Sequence, residues 1–392
     1  MFKPRYLESH ILSDLKEKMV FVGGPRQVGK TTLAKYIGEQ DYVSRAYLNW
    51  DNAEQRKMII SNNIPADAKL IIFDELHKYR SWKNYIKGIY DTYKGKFSIL
   101  VTGSARLDVY RRGGDSLLGR YHYFRLHPFS VREVMGEGWQ TEPFDEIKFL
   151  KDKKISRAFS DLLTYGGFPE PYLAKNPQTL RRFHNERSER LIKEDIRDVE
   201  NIQDISLLQV LSDILPSKVG SLLSLNSLQE DLAVTHKTIS RWVDMLERFY
   251  YHFRIYPFKS SLIKSLRKQP KMYMWDWSQV ENEAARLENM VASHLLKTAH
   301  LLYDYFGFKA EVYYLRDTEG REVDFLLTVD RKPWFSVEVK QNDTSPSSHL
   351  KYFGDRLRIP FQYQVVGGGT GIDYLKDGIR TMSVDKFLSG LA

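Results

Sequence analysis

Gly24-Pro25-Arg26-Gln27-Val28-Gly29-Lys30-Thr31 sets two glycines, a lysine and a hydroxyl at the spacing G-x-x-x-x-G-K-[ST], and this spacing suits the cradling of a polyphosphate. Glycines let backbone N–H groups turn inward around phosphate oxygens. A helix opening at Lys30 would add donors and the positive end of its dipole. Lys30 is then expected to reach the β- and γ-phosphates of ATP and Thr31 to bind Mg²⁺, with Thr32 closing the nucleotide-binding set. A second signal stands 44 residues beyond that lysine, where Leu70-Ile71-Ile72-Phe73 runs into Asp74-Glu75. Asp74 at a strand end would hold the Mg²⁺, and Glu75 would orient and deprotonate the attacking water. Ser98-Ile99-Leu100-Val101 ends in Thr102-Gly103-Ser104, so Thr102 or Ser104 is a candidate sensor of the γ-phosphate. Arg106, Arg111, Arg112 and Arg120 are candidates for an arginine finger. Arg120 is preferred because it begins the last strand of the region, at an expected subunit edge. A finger supplied in trans would require an oligomer, although a monomer is equally allowed.

The elements that must position these groups follow from the apolar pattern. Met19-Val22, Ala46-Leu48, Leu70-Phe73, Ile99-Val101 and Tyr121-Leu126 are strand-length runs joined by longer mixed segments, as parallel strands and helices require. From Val131 to Phe258 the spacing is helical, broken by Gly166-Gly167-Phe168-Pro169-Glu170-Pro171. Within it, Leu228 to Ala233, Val234-Thr235-His236 and Lys237 to Phe249 predict helix, turn and helix. Tyr251 to Pro257 would follow as a β-wing. Such a winged helix would present His236, Lys237 and Arg241 to DNA, while Asp244 and Glu247 oppose deep groove contact. Lys259, Lys264, Arg267, Lys268 and Lys271 come next with no acidic residue between Phe258 and Tyr273, a cluster suited to phosphates. Strand-like runs return at Met272-Trp275, Val312-Leu315, Val323-Val329, Trp334-Val339 and Gln362-Val366, with an amphipathic helix around Ala284 to Leu296.

Glu338 and Lys340 share one face of an expected strand, Asp324 lies on the preceding strand, and Glu288 sits on the helix upstream. That order resembles the PD-(D/E)xK nuclease fold. The resemblance implies carboxylates that hold Mg²⁺ beside a scissile phosphate and a lysine that helps activate water. The nearby Glu322, Asp317 and Glu319 could substitute as ligands or merely add repulsion. An active nuclease and an inactive scaffold of the same fold both remain open.

A wider resemblance covers nearly the whole chain. With Gly24 to Thr31, Phe73-Asp74-Glu75, Thr102-Gly103-Ser104, Leu118-Gly119-Arg120, Leu126-His127-Pro128-Phe129-Ser130, Gly167-Phe168-Pro169-Glu170, Glu322-Val323-Asp324-Phe325 and Glu338-Val339-Lys340, the sequence resembles a large prokaryotic family of AAA-like ATPases. That family couples the ATPase domain to a C-terminal domain of uncharacterised function. The resemblance implies ATP binding and leaves the biological role open.

Composition bounds the rest. The chain has 392 residues, 42% of them apolar, more than one core usually holds. The expected fold class is α/β in three parts: an AAA-like P-loop domain over 1–130, a helical and winged-helix region over 131–258, and a smaller α/β nuclease-like domain over 259–392. The sequence has no cysteine, which excludes disulfides and thiolate metal sites and leaves Mg²⁺ on oxygen ligands as the natural metal. No long apolar run and no apolar leader interrupt it, so a soluble, cytoplasmic protein with no membrane partner is expected. A net charge of +9 favours an anionic partner. The leading expectation is an Mg²⁺-dependent ATPase that controls a nucleic-acid-handling module. The alternative is a slow nucleotide-gated switch that binds a protein partner, with an inactive nuclease-like scaffold.

Overall fold

The computed structural model describes residues 3–65, 67–103, 117–196, 204–259, 269–369 and 371–392. They fall into two compact units, Met1–His127 with Arg248–Tyr250, and Pro128–Glu247 with Tyr251–Ala392.

In the first unit β1 (Met19–Gly23), β2 (Arg45–Asn49), β3 (Leu70–Asp74), β4 (Ser98–Thr102) and β5 (Tyr121–Arg125) form one sheet in the order β2-β3-β4-β1-β5. Every pairing is parallel. A parallel sheet is covered on both faces, and for this reason β1 and β3 are apolar runs buried along their whole length. Each of the five expected strands is present. Ile71, Phe73, Val101, Ile86 and Leu76 sit at the centre of the core, and each such burial stabilises the unit by roughly 1.5–3 kcal/mol. Parallel register aligns all the C-terminal strand ends on one edge, and there Asp74 pairs with Asn49 on one side and Thr102 on the other.

The second unit begins with helices and ends with an eight-stranded sheet. Its strands are β6 (His252–Pro257), β7 (Lys271–Met274), β8 (Ala310–Arg316), β9 (Glu322–Val329), β10 (Lys332–Lys340), β11 (Phe361–Val366), β12 (Asp373–Lys376) and β13 (Ile379–Ser383), in the order β12-β13-β11-β10-β9-β8-β6-β7. β9 and β10 form an antiparallel hairpin closed at Asp330 and Arg331, both left-handed, as a two-residue turn of this kind requires. β11 lies parallel to β10, reached through the helix Ser348–Leu357. The long helix Glu283–Asp304 buries Leu287, Val291 and Leu295 and extends eight residues beyond the expected Leu296.

Helix, turn and helix occur where expected. Leu225–Leu232 ends at the left-handed Ala233, and Thr235 caps His236–Arg248 by accepting from the Thr238 N–H at 3.2 Å. Ile239, Trp242, Val243, Met245 and Leu246 line the buried face. Tyr251–Pro257 differs from the expected wing: β6 is one strand of a hairpin with β7, and it also pairs in parallel with β8. Its apolar residues Phe253 and Ile255 therefore belong to the larger sheet's core.

Two of the later sequence motifs are packing devices. A Cβ on Gly167 would lie 2.5 Å from the Trp277 ring, so only glycine fits beneath that indole, whose Nε1–H donates to Leu162 O at 2.8 Å. The Leu126-His127-Pro128-Phe129-Ser130 segment leads into a buried knot in the second unit. There the Lys297 ammonium donates to Pro128 O (3.2 Å) and Ser130 Oγ (2.9 Å) and pairs with Glu133. Beside it, His294 donates from Nδ1 to Met290 O at 2.7 Å and accepts the Val131 N–H at Nε2, 3.1 Å away.

This arrangement requires a neutral imidazole. Burial pushes the His294 pKa from 6.5 down to about 3 against its Met290 hydrogen bond. Below pH 6.5 the unfolded chain takes up a proton that the folded chain refuses. The stability due to His294 is therefore complete above that pH and is lost as pH falls, by up to ~1.4 kcal/mol per pH unit. Urea unfolding of wild type and His294→Gln is expected to show a stability gap at pH 7 that shrinks by ~2 kcal/mol at pH 5. A constant gap would mean that the imidazole titrates at its ordinary value.

Candidate functional site

The loop between β1 and the helix Lys30–Asp41 is shaped by its glycines. Gly24 has φ +136°, and a Cβ there would meet the Leu126 carbonyl oxygen at 2.5 Å; Gly29, at φ +98°, caps the helix. Sequence reasoning missed Arg5. Its guanidinium donates to Val28 O at 2.6 Å and to His127 O, fastening the loop to the chain after β5. Nothing in the spacing of a lone N-terminal arginine signals this. Lys30 is 8% exposed, and its ammonium donates to Gly24 O (3.0 Å) and Pro25 O (2.7 Å).

Asp74 is the hub of the site. It is 3% exposed. One carboxylate oxygen accepts from Thr31 Oγ1 at 2.9 Å and from the Tyr47 hydroxyl at 2.6 Å, and the other accepts from Thr102 Oγ1. Asn49 in turn donates to Tyr47 Oη at 3.3 Å. Burial, then Asp74 itself, pushes the Tyr47 phenol above its ordinary range, so it stays a proton donor. Glu75 adopts a left-handed backbone at φ +55°. Its carboxylate lies 3.5 Å from Lys78 Nζ and 3.6 Å from His77 Nε2. Burial raises its pKa against the pull of Lys30, which suits a group that must accept a proton.

Thr102 is fully buried and donates to Asp74, so its hydroxyl positions the carboxylate. Arg120 donates to both Asp91 oxygens, at 2.9 and 3.2 Å, and precedes Tyr121, the partner of Met19 at the N-terminal end of β1. It sits at the sheet edge opposite the P-loop and cannot reach phosphates bound to its own chain. Ser104, Arg106, Arg111 and Arg112 lie outside the described residues.

In the second unit Glu288, Asp324, Glu338 and Lys340 converge as the spacing anticipates, with one addition. Lys271, expected among phosphate-binding cations, is 3% exposed, and its ammonium lies 2.7 Å from Glu322 Oε1, 3.2 Å from Asp324 Oδ1 and 3.5 Å from Glu288 Oε1. Tyr273 donates to Glu288 at 2.7 Å, Asp324 accepts the Val339 N–H at 2.9 Å, and Lys340 pairs with Glu338 at 2.7 Å. Burial, then the Asp324 charge, raises the Glu288 and Glu338 carboxyls above their ordinary range. Burial alone would pull Lys271 down, but the facing carboxylates outweigh it and hold the ammonium above its ordinary range. Of the other expected ligands, Glu322 also pairs with Arg316, and Asp317 and Glu319 both pair with Arg321. Among the described residues no group of three or more acidic or histidine side chains is arranged to hold a metal.

His236, Lys237 and Arg241 are exposed at the start of the second helix of the helix-turn-helix, and Lys259 is exposed after β6. Asp244 and Glu247, expected to repel phosphate, both pair with Arg254 of β6. Lys264, Arg267 and Lys268 lie outside the described residues. Among the described residues no helix is long and apolar enough to cross a membrane.

Residues 16–135 match the AAA domain family. Residues 156–282 and 284–387 match two families described as Domain of unknown function, DUF8612 and DUF4143. An uncharacterised protein of Methanocaldococcus jannaschii is 24% identical over 300 residues, covering 68% of this chain and 62% of that protein, so the chain spans less than two thirds of that relative's length. An uncharacterised protein of Mycobacterium tuberculosis is 21% identical over 338 residues, covering 83% and 71%. Among solved structures, the Thermotoga maritima RuvB Holliday junction branch migration motor gives a TM-score of 0.32 at 16% identity, covering 68% of this chain and 88% of that one. A Bacteroides Pif1 helicase in complex with ADP-AlF3 and ssDNA gives 0.23 at 15% identity, covering 37% and 44%. The parallel sheet, the P-loop and the AAA domain match support an AAA-like P-loop ATPase fold for the first unit.

The Tyr47 hydroxyl orients Asp74 without lying in either sequence motif. Tyr47→Phe is expected to weaken Mg²⁺-dependent ATP binding about 10-fold, with little change in melting temperature. Calorimetric titration of Mg·ATP checks this, and an unchanged affinity would reduce Tyr47 to packing.

Proposed function

We propose that the chain is an Mg²⁺-dependent, ATP-hydrolysing protein of the AAA type whose nucleotide state controls nucleic-acid binding by the second unit. The observation that carries the first half is the hydrogen-bonded Asp74 beside Lys30 and Glu75 at the C-terminal edge of a parallel sheet, where such folds bind ligands. Thr31 and Asp74 offer the hard oxygen donors that Mg²⁺ takes, with water and phosphate oxygens completing the shell. When bound, that ion supplies neutralisation of phosphate charge.

The chain's own groups do the rest. Phosphate oxygens replace Gly24 O and Pro25 O as acceptors for the Lys30 ammonium, and the loop N–H groups with the helix N-terminus hold the remaining charge. Water attacks the γ-phosphorus, the bond to the β-γ bridging oxygen breaks, and Glu75 accepts the water proton as ADP and phosphate form.

For the second half, support comes from the helix-turn-helix with His236, Lys237 and Arg241 exposed, and from Arg254 pairing with both acidic residues on that helix and offsetting part of their charge. The hairpin that follows carries a run of basic residues in its connection. These features suit a helix-turn-helix contact with DNA phosphates. A second reading, a slow nucleotide-gated switch for a protein partner, is favoured by Lys271 filling the carboxylate cluster, as an inactive scaffold would allow.

Steady-state ATP hydrolysis with and without DNA separates the two. Lys30→Ala and Glu75→Gln are expected to lower turnover at least ~100-fold, the first by losing binding and the second with binding kept. Stimulation by DNA supports the first reading, and turnover indifferent to DNA supports the second. Absence of ATP binding by wild type at millimolar Mg²⁺ would sink both. Lys237→Ala and Arg241→Ala are each expected to weaken DNA binding and to reduce its log–log salt slope by ~1. A slope unchanged in both would remove this helix from the interface.

A further inference from the structure

Charge and placement in the second unit point to a role for Lys271 that rests on the second reading above, deepens it, and is independent of nucleotide. Its ammonium contacts carboxylates from two elements, Glu288 on the helix Glu283–Asp304 and Glu322 and Asp324 on β9. It comes from β7, at the edge of the sheet, where Lys271 also bridges to Leu222 ahead of the helix-turn-helix. Four carboxylates, those of Glu288, Glu322, Asp324 and Glu338, gather with three cations, Lys271, Lys340 and Arg316. The cluster therefore keeps a formal charge of −1 with Lys271 in place and −2 without it. One buried oxygen, Glu338 Oε2, has no hydrogen-bond donor among the described residues, although Glu338 is only 6% exposed. A set of hard oxygens with an unmatched charge of −2 is what a divalent cation binds; a lysine supplies half of that charge and three N–H donors from within the chain.

We propose that Lys271 is the built-in cation of this cluster, standing where a hydrolytic carboxylate site holds its metal, so that the second unit binds no divalent ion and acts as a scaffold tying the β6–β7 hairpin to the sheet. Removing one partner of a buried charge cluster leaves the other charges uncompensated. Loss of the ammonium leaves Glu288, Asp324 and Glu338 demanding a cation, and a divalent ion then satisfies them.

The test is Mn²⁺ binding to the full-length protein without nucleotide, followed by calorimetry and by thermal unfolding. Wild type is expected to show no Mn²⁺ binding that Asp324→Asn abolishes, and no change of melting temperature between EDTA and Mn²⁺. Lys271→Met, similar in length and uncharged, is expected to melt lower in EDTA and to be rescued by Mn²⁺, with an affinity at least ~10-fold tighter than any residual Mn²⁺ binding elsewhere on wild type. Wild-type Mn²⁺ binding that disappears in Asp324→Asn would overturn the proposal, since the lysine would then yield to metal. So would a folded Lys271→Met that neither binds Mn²⁺ nor loses stability. If Lys271→Met does not fold, the wild-type and Asp324→Asn titrations decide alone.

Discussion

A carboxylate placed inside a protein must be held by donors or cations, and in the first unit everything at the strand ends is arranged around one such group. Asp74 terminates a strand buried on both faces, so solvent cannot stabilise its charge. Hydroxyls do so instead, from Thr31 on the P-loop helix, Tyr47 on the neighbouring strand and Thr102 on the other. Hydrogen bonds to an ionised group are worth about twice those between neutral groups, so three of them fix the carboxylate's orientation and couple three elements. The loop glycines, the Arg5 clamp and the parallel register become necessary because they bring those hydroxyls to one point.

The second unit meets the same constraint with a different solution. Its carboxylates come from a helix and two strands, and neutral donors alone would leave several negative charges adjacent and dry. Lys271 and Lys340 supply the compensation. The cost of desolvating the ammonium is outweighed because three carboxylates face it at once. In the first unit a cluster of hydroxyls leaves room for charge to be added by a ligand. In the second, charge is already nearly balanced by the chain.

How much of this was legible in the sequence follows from the range of each interaction. The P-loop and the Asp74-Glu75 strand end are local patterns, and their spacing reports geometry directly. The five strands of the first sheet were legible because parallel strands buried on both faces are continuous apolar runs. β12 was not, because its only apolar residues, Tyr374 and Leu375, are exposed and make too short a run to stand out. Tyr47 and Arg5 act across 27 and 122 residues of chain, and no spacing rule reaches that far. Arg120 directly precedes β5, and since all strands of that sheet run one way it stands at the edge away from the P-loop, where it pairs with Asp91.

Lys271 shows why site chemistry is harder to read than site location. Glu288, Asp324, Glu338 and Lys340 converge as their order anticipates, since an αβββαβ path has few ways to place them. The same four letters, however, serve a cluster that takes its cation from solution and one that takes it from the chain. The difference lies in a fifth residue on a different strand, and that residue reads as part of a solvated basic run because its neighbours in sequence are basic. Its neighbours in space are acidic. For a charged residue at the end of a short buried strand, register in the sheet rather than local composition decides what the charge meets.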